Sequence, residues 1–162
     1  MTTLTYKLTA IILIYLSLSF NLIGTATTKV KCMIQMTNYV GEGAYVVVSL
    51  LNPEGDYEKT LYVQGTDKEW YSDITEWWKF YGKRRPDIDA ISGETVAGGE
   101  RTLSVLEIDS DKLDKGYSIR FETAVEDQEY YTDDVQFELT SESLTSKMEG
   151  KGFIRYIRLI PQ

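Results

Sequence analysis

The stretch "AYVVVSLLNPEGDYEKTLYVQG" (Ala44–Gly65) decides the fold class of this chain. Its first part, Ala44–Asn52, is a short run of apolar and β-branched residues, which is typical of a buried strand. The next part, "PEGDYE", supplies the Pro, Gly and Asp of a turn. Lys59–Gly65 then returns with a second strand pattern. The stretch therefore predicts a β-hairpin.

Five further segments have the same character, and the polar segments between them, including "DQEYYTD" and "SESLTSKMEGKG", read as turns. Twelve tyrosines also favour half-buried sheet surfaces over a helical bundle. About seven strands at this spacing predict an all-β fold, an immunoglobulin-like antiparallel β-sandwich. The five further strands are predicted at Val30–Thr37, Arg101–Asp109, Tyr117–Glu126, Asp134–Thr140 and Phe153–Ile160.

One segment, "DKEWYSDITEWWKFYG", breaks the strand pattern because its apolar residues recur at helical spacing. It predicts one inserted Trp-rich helix that starts at a Ser72 or Asp73 cap, ends at Gly82 and lies across one end of the sandwich. We expect its tryptophans to be core, although indole rings can also form a stacking platform for a planar ligand. The apolar positions are Trp70, Ile74, Trp77, Trp78 and Tyr81.

The first 26 residues have the features of a secretory signal peptide. Lys7 precedes the apolar run Leu8–Gly24, and Gly24–Ala26 has the small-x-small pattern that signal peptidase cleaves. The run is short and interrupted for a membrane-spanning helix. We therefore predict an exported protein, periplasmic or extracellular, with residues 27–162 as a single domain and no stable membrane insertion after cleavage. An uncleaved anchor is the alternative.

The composition excludes several function classes. The chain has no histidine, which removes the commonest general base and transition-metal ligand. Its only cysteine, Cys32, fits a buried strand position and cannot form an intramolecular disulfide. The formal net charge is −8, and Lys7 in the signal segment contributes +1, so the remainder carries −9. Such a chain repels phosphate backbones, and we predict no nucleic-acid binding.

Two charged segments are candidate binding sites. The acidic turn Glu107–Gly116 fails the ligand spacing of a calcium loop because Leu113 stands at the third ligand position, so we predict no metal. The basic run Lys83, Arg84, Arg85 follows the predicted helix. It complements the helix dipole, and it is also a candidate surface for a phosphate or an acidic partner.

A loop follows the basic run, "PDIDAISGETVAGG" (Pro86–Gly99). Asp89, Ser92, Gly93 and Thr95 form the pattern D-x-x-S-G-x-T. A Pro at the entry and three glycines allow such a loop to present a Thr hydroxyl and free backbone N–H groups. We therefore expect the loop to be the part of the chain to which chemistry is most readily attached.

The order of these segments resembles the bacterial "predicted periplasmic protein" family, domain of unknown function 2271, over about Val30–Thr140. Its most specific parts are W-x-x-x-[IL]-x-x-W-W (Trp70, Ile74, Trp77, Trp78) and the D-x-x-S-G-x-T that follows. The resemblance implies an exported β-sandwich of unassigned function, found in the setting of extracytoplasmic flavin and haem electron-transfer systems.

The loop also resembles the flavinylation motif D-x-x-[ST]-G-A-T of FMN-binding domains, in which a flavin transferase links FMN through its phosphate to the last Thr. Asp89, Ser92, Gly93 and Thr95 match this motif. Glu94 departs from it, because a carboxylate replaces a small Ala beside the acceptor hydroxyl. The resemblance implies Thr95 as the attachment site, and Glu94 argues against modification.

Three functions follow as hypotheses. The first and favoured one is a non-catalytic binding or accessory protein without a cofactor, whose extracytoplasmic partner contacts the surface of Trp70, Trp77, Trp78 and Lys83–Arg85. The second is a covalent FMN carrier flavinylated at Thr95. The third is a hydrolase restricted to carboxylate catalysis, for which no pair of acids has a recommending spacing.

Overall fold

The computed structural model describes residues 26–88 and 91–162, and these form two β-sheets. The four-stranded sheet has the order β5-β1-β9-β8, and the five-stranded sheet has the order β4-β3-β2-β6-β7. The strands are β1 (Thr27–Met36), β2 (Tyr45–Leu51), β3 (Tyr57–Gln64), β4 (Ser92–Gly93), β5 (Arg101–Asp109), β6 (Ser118–Ala124), β7 (Tyr130–Glu138), β8 (Lys147–Glu149) and β9 (Ile154–Pro161).

The main core lies between the two sheets. Alternate residues of β1, such as Cys32 and Ile34, are fully buried against alternate residues of β2, such as Val46 and Val48. This alternation is the period of two that the sequence shows, because successive side chains of a strand point to opposite faces. The predicted all-β sandwich and the buried position of Cys32 are confirmed; the immunoglobulin-like topology stays a prediction.

Three segments differ from the sequence prediction. "DQEYYTD" is not all turn, because β7 already begins at Tyr130 and pairs with β6. "SESLTSKMEGKG" contains the short strand β8, which pairs with β9. The loop after the helix contains β4, which pairs in parallel with β3 through Ser92 and Gly93. Backbone hydrogen bonding to a partner strand decides each of these, and polar composition does not report it.

The predicted Trp-rich helix is interrupted. A 3-10 helix covers Lys68–Asp73, and an α-helix, α1, covers Thr75–Arg84. Ile74 between them has ψ 72°, so the backbone leaves helical geometry there. The cap predicted at Ser72 or Asp73 is therefore wrong. The end predicted at Gly82 is also wrong, because the helix continues to Arg84.

Helix α1 ends at Arg85, which adopts the left-handed conformation with φ 42° and donates its N–H to Tyr81 O at 2.7 Å. The Arg85 guanidinium lies 5.8 Å from the centre of the Trp78 ring, so the residue that ends the helix also forms a cation–π contact with it. Lys83 and Arg84 occupy the last turn of α1, where cations complement the helix dipole as expected.

Helix α1 covers the outer face of the five-stranded sheet, and the prediction that it lies across one end of the sandwich is wrong. Trp77 is fully buried in a second core with Val47 and Val63, which point away from the main core. Its indole N–H donates to Thr60 Oγ1 at 2.7 Å, and its ring stacks on Tyr81 at 4.4 Å. Strand β2, in the middle of the five-stranded sheet, is thus buried on both faces.

Most of the predicted signal peptide, residues 1–25, lies outside the described residues. Within residues 26–88 and 91–162, no helix is long and apolar enough to cross a membrane.

Candidate functional site

A cavity of about 520 Å³ lies at one end of the five-stranded sheet. Four segments form its walls: the connection between β1 and β2, the 3-10 helix, the connection between β4 and β5, and the turn between β6 and β7. The predicted residues Thr95 and Trp70 both line it. Its other lining residues are Glu42, Gly43, Tyr45, Asp73, Ala124, Val125, Glu126, Asp127, Gln128, Glu129 and Tyr130.

The β6–β7 turn has a defined shape. Gln128 N donates to Val125 O at 3.1 Å, and Asp127 has φ 57°, a left-handed conformation that Asp tolerates better than most residues. The Gln128 side-chain amide donates to Val40 O at 2.8 Å and so ties the turn to the β1–β2 connection. Two walls of the cavity are therefore held together by one side chain.

The segment that carries Thr95 is fixed on both sides. Before it, β4 pairs with β3, and Gly65 N donates to Gly93 O at 2.5 Å. After it, Ala44 and Val96 exchange backbone hydrogen bonds of 2.7 and 3.2 Å. The Tyr39 hydroxyl donates to Val96 O and accepts from Ala44 N, which reinforces this bridge. The expected free loop is thus a short tether between two anchored points.

Thr95 is exposed at the cavity wall, and its hydroxyl forms no hydrogen bond with the described part of the chain. Gly43 packs directly against it, since a Cβ at Gly43 would overlap Thr95 Oγ1. The neighbouring Glu94 is exposed too, and its carboxylate accepts from Thr66 Oγ1 at 3.5 Å, the longest distance for a hydrogen bond. The hydroxyl is therefore accessible from the cavity.

The aromatic wall of the cavity consists of Tyr45 and Trp70. Tyr45 lies over Gly65, whose φ of 124° and missing Cβ leave room for the ring. The Tyr45 hydroxyl donates to Asp67 O at 3.3 Å, and its ring contacts Tyr71 edge-on at 6.3 Å. Trp70 is 37 % exposed, so part of a large aromatic surface faces the cavity and solvent.

The remaining aromatic residue, Tyr130, connects the cavity to helix α1. Its hydroxyl donates to the fully buried Glu122 carboxylate and accepts from Glu76 N at 3.0 Å. Glu122 Oε2 also accepts from Trp77 N at 3.2 Å. Helix α1 has no side-chain cap of its own, so residues of β6 and β7 satisfy its first N–H groups.

Burial raises the pKa of Glu122, although Arg120 at 2.6 Å and the donors from Tyr130 and Trp77 oppose the shift. Burial and the hydrogen bond to Glu122 also raise the pKa of Tyr130, so its hydroxyl keeps its proton at neutral pH. The network beneath the cavity is therefore a fixed structural support, with the tyrosine as donor.

The potential in the cavity is negative. Among the residues that the structure describes, no Lys or Arg lines it, and five carboxylates do, from Glu42, Asp73, Glu126, Asp127 and Glu129. The pKa of Tyr45 is raised, first by burial and then by the negative charges of Asp67, Glu126 and Glu94. The cavity therefore favours a cation and disfavours a phosphate.

The structure separates the residues that the sequence predicted as one surface. Trp70 lines the cavity with Thr95, whereas Trp77 is core and Trp78 is half-buried against Arg85. Arg84 lines a different cavity of about 280 Å³ with Phe80, and neither Lys83 nor Arg85 lines the Thr95 cavity.

Three residues of the predicted loop pattern remain. Ser92 and Gly93 form β4, and Asp89 lies outside the described residues.

Sequence reasoning missed Tyr45, Tyr130 and the acids of the β6–β7 turn. The run "VEDQE" (Val125–Glu129) was the available signal, because three carboxylates in five residues mark a strongly charged turn. Tyr45 carried no signal, since it reads as an ordinary strand residue, and Tyr130 lies in a segment that the sequence predicted to be a turn. In the described parts of the chain no group of three or more metal-ligating residues is arranged to hold a metal ion.

Comparison with known proteins gives one match. A family model described as "Predicted periplasmic protein (DUF2271)" matches residues 27–156. No curated protein and no solved structure matches the chain.

Proposed function

This chain belongs to the "Predicted periplasmic protein" family, domain of unknown function 2271, and on that premise we propose that it is an exported, non-catalytic binding protein. The family description supports the periplasm as its compartment. The observation that carries the proposal is the acidic, aromatic-walled cavity beside Thr95 and Trp70. An accessory role fits a chain without histidine, because no imidazole is present to act as a base.

The ligand class follows from the cavity walls. Carboxylates with no cation among them attract a positive charge, and the face of Trp70 or Tyr45 adds cation–π attraction. A volume of about 520 Å³ admits a group larger than an inorganic ion. We therefore propose an organic cation, an amine or guanidinium on an apolar body, as the ligand. It is either a free small molecule or a Lys or Arg side chain of a protein partner.

Two-dimensional NMR titration of the protein tests this proposal. The probes are phenethylamine, its neutral counterpart phenethyl alcohol, and a short Lys- and Arg-containing peptide. We expect the amine to shift the signals of Thr95 and the Trp70 indole, and the alcohol to leave them unchanged. A tighter response to the peptide than to the amine assigns the cation to a protein partner, and the reverse order assigns it to a small molecule.

Trp70→Ala supplies the test of the aromatic wall. Loss of a cation–π contact weakens binding by about 5- to 30-fold, which corresponds to about 1–2 kcal/mol. Phe80→Ala is the matched control, because Phe80 is 36 % exposed, close to the 37 % of Trp70, and lines the other cavity. Equal binding of amine and alcohol, or equal effects of the two substitutions, contradicts the proposal.

The second candidate function is a covalent FMN carrier modified at Thr95. It is favoured by one observation, an accessible Thr95 hydroxyl in the same cavity as Trp70 and Tyr45. The described surroundings do not fit the phosphate, because the cavity is lined by five carboxylates and no cation. The first proposal is therefore preferred, and the association with redox systems stays a prediction.

Intact-mass measurement after co-expression with a flavin transferase decides between the candidates. A gain of one FMN less one water, lost in Thr95→Ala and kept in Thr66→Ala, establishes the carrier. An unmodified mass in flavin-replete cells eliminates it.

A further inference from the structure

The outer faces of the two sheets differ in what covers them. Helix α1 covers the outer face of the five-stranded sheet, whereas no described residue forms a helix over the outer face of the four-stranded sheet. Alternate residues of β1, β5, β8 and β9 point outward on this second face, which we call the open face. These outward residues are Lys29, Lys31, Met33, Gln35, Arg101, Leu103, Val105, Glu107, Lys147, Glu149, Tyr156, Arg158 and Ile160.

The register places apolar and cationic side chains in alternating rows. In one row Lys31 lies between Val105 and Ile160, which are 44 % and 43 % exposed. In the next row Met33 lies between Leu103, which is 64 % exposed, and Arg158. Because directly paired residues stand about 5 Å apart, Leu103, Val105 and Ile160 lie within about two strand spacings of one another, and they are three of the six large exposed apolar side chains among the described residues.

The open face is positive although the chain as a whole is negative. Apart from Asp109, which pairs with Lys59 of β3 at 3.0 Å, its outward residues include five cations and two carboxylates, a net charge of +3, in a chain of formal net charge −8. Lys29 pairs with Glu107 at 2.9 Å, and Lys147 lies near Glu149 at 3.8 Å. Lys31 and Arg158 form no ion pair with any described residue. The two cations closest to the apolar patch are therefore free to bind a partner.

We propose that the open face is a docking surface for an acidic protein partner. Single exposed apolar side chains are common on protein surfaces. A patch of them flanked by unpaired cations is typical of an interaction surface. The partner surface that complements it presents apolar side chains between Asp and Glu carboxylates. Desolvation of the patch contributes affinity, and the cations contribute partner choice and association rate.

The size of the open face indicates a transient complex. Four strands about 4.8 Å apart and about seven residues long give a face of roughly 15 by 20 Å. This is well below the roughly 800 Å² per partner of a stable interface, so we expect weak, exchanging binding. A second copy is the poorer occupant, because two open faces would oppose +3 with +3. A flat face without a protruding apolar loop also suits a protein surface better than a bilayer.

Site-specific photo-crosslinking in exporting cells tests the proposal. A benzoylphenylalanine is placed at position 103 or 160 of the open face, and at position 54 in the β2–β3 turn as a control. We expect a discrete heterologous adduct from 103 and 160 only. Mass spectrometry of the crosslinked peptide should identify a partner segment rich in Asp and Glu, and the identified partner should bind the purified protein with an affinity that falls as salt is raised.

Charge reversal provides the decisive comparison. Lys31→Glu with Arg158→Glu should reduce the adduct and the affinity about tenfold or more. Lys83→Glu with Arg84→Glu makes the same change of charge on helix α1, and we expect it to leave both unchanged. Urea unfolding curves of each double variant establish that the fold persists.

Four outcomes of the crosslinking experiments overturn the proposal. They are no adduct, an adduct of twice the protein's own mass, an adduct with lipid alone, and an adduct that both charge reversals weaken equally. Binding of the purified protein to vesicles containing anionic phosphatidylglycerol, with no response to the crosslinked partner, also overturns it in favour of a membrane surface.

Discussion

Asp134 is the residue whose removal we expect to destabilise the fold most clearly. It lies on β7, is fully buried and accepts four hydrogen bonds. Oδ2 accepts from Thr123 Oγ1 at 2.7 Å and Ile154 N at 2.9 Å. Oδ1 accepts from Lys151 N at 2.9 Å and Gly152 N at 2.8 Å. One carboxylate thus joins the five-stranded sheet to the start of β9 in the other sheet.

The magnitude follows from which donors can reach water after Asp134→Ala. Thr123 and Ile154 are fully buried, so each donor left without an acceptor costs about 1–3 kcal/mol. Lys151 and Gly152 are accessible and can donate to water instead. Removing a buried charge recovers part of its desolvation penalty. We expect a net loss of about 3 kcal/mol in the free energy of unfolding.

Asp134→Asn should lose nearly as much, for a geometric reason. Each carboxylate oxygen accepts two hydrogen bonds. An amide would replace one of these oxygens by an NH₂ group, which would then face two other donors. The matched control is Asp133→Ala, which removes an exposed carboxylate paired with Lys151 and should change stability by less than about 1 kcal/mol. Urea unfolding followed by tryptophan fluorescence measures all three. A loss in Asp134→Ala no larger than that in Asp133→Ala would refute the reasoning.

Three further predictions concern burial and backbone geometry. Burial raises the pKa of Glu122, so its contribution to stability is greatest below its ordinary pKa and falls as pH rises through the raised value. The free energy of unfolding of Glu122→Gln, measured in urea at increasing pH, should therefore rise relative to that of the wild type. Burial raises the pKa of Cys32 to about 12, so a thiol reagent should label it in urea and not in the native protein; native labelling contradicts this. Gly65→Ala should destabilise the fold by at least about 1 kcal/mol more than Gly55→Ala, because both have positive φ and only Gly65 has a ring, that of Tyr45, where the Cβ would lie; equal unfolding free energies rule out that contact.

The candidate site was only partly readable from the sequence. Thr95 and Trp70 were singled out from a loop pattern and a helical repeat, and the structure brings them to one cavity. Trp77, which shares that helical repeat, is core instead. The two tryptophans lie in different elements, Trp70 in the 3-10 helix and Trp77 in α1, because the backbone leaves helical geometry at Ile74. Periodicity assumes one continuous helix, so it could not separate the two tryptophans.

The local pattern of apolar and polar residues was enough to predict part of the fold. Period-two alternation placed Cys32 and its neighbours in the core, and the apolar run of β2 identified a strand buried on both faces. These features persist because each is decided by residues within a few positions of one another. The family, too, was predicted correctly from the order of these segments along the chain.

Features that depend on contacts between distant segments could be seen only in the folded chain. Glu122 caps helix α1 from a strand that begins more than 30 residues after the helix, and Tyr130 joins that cap to the cavity. The open face exists because β1 lies between β5 and β9, which brings Lys31 between Val105 and Ile160. Charge and exposure at these sites are properties of the pairing register, and register is set by the whole sandwich.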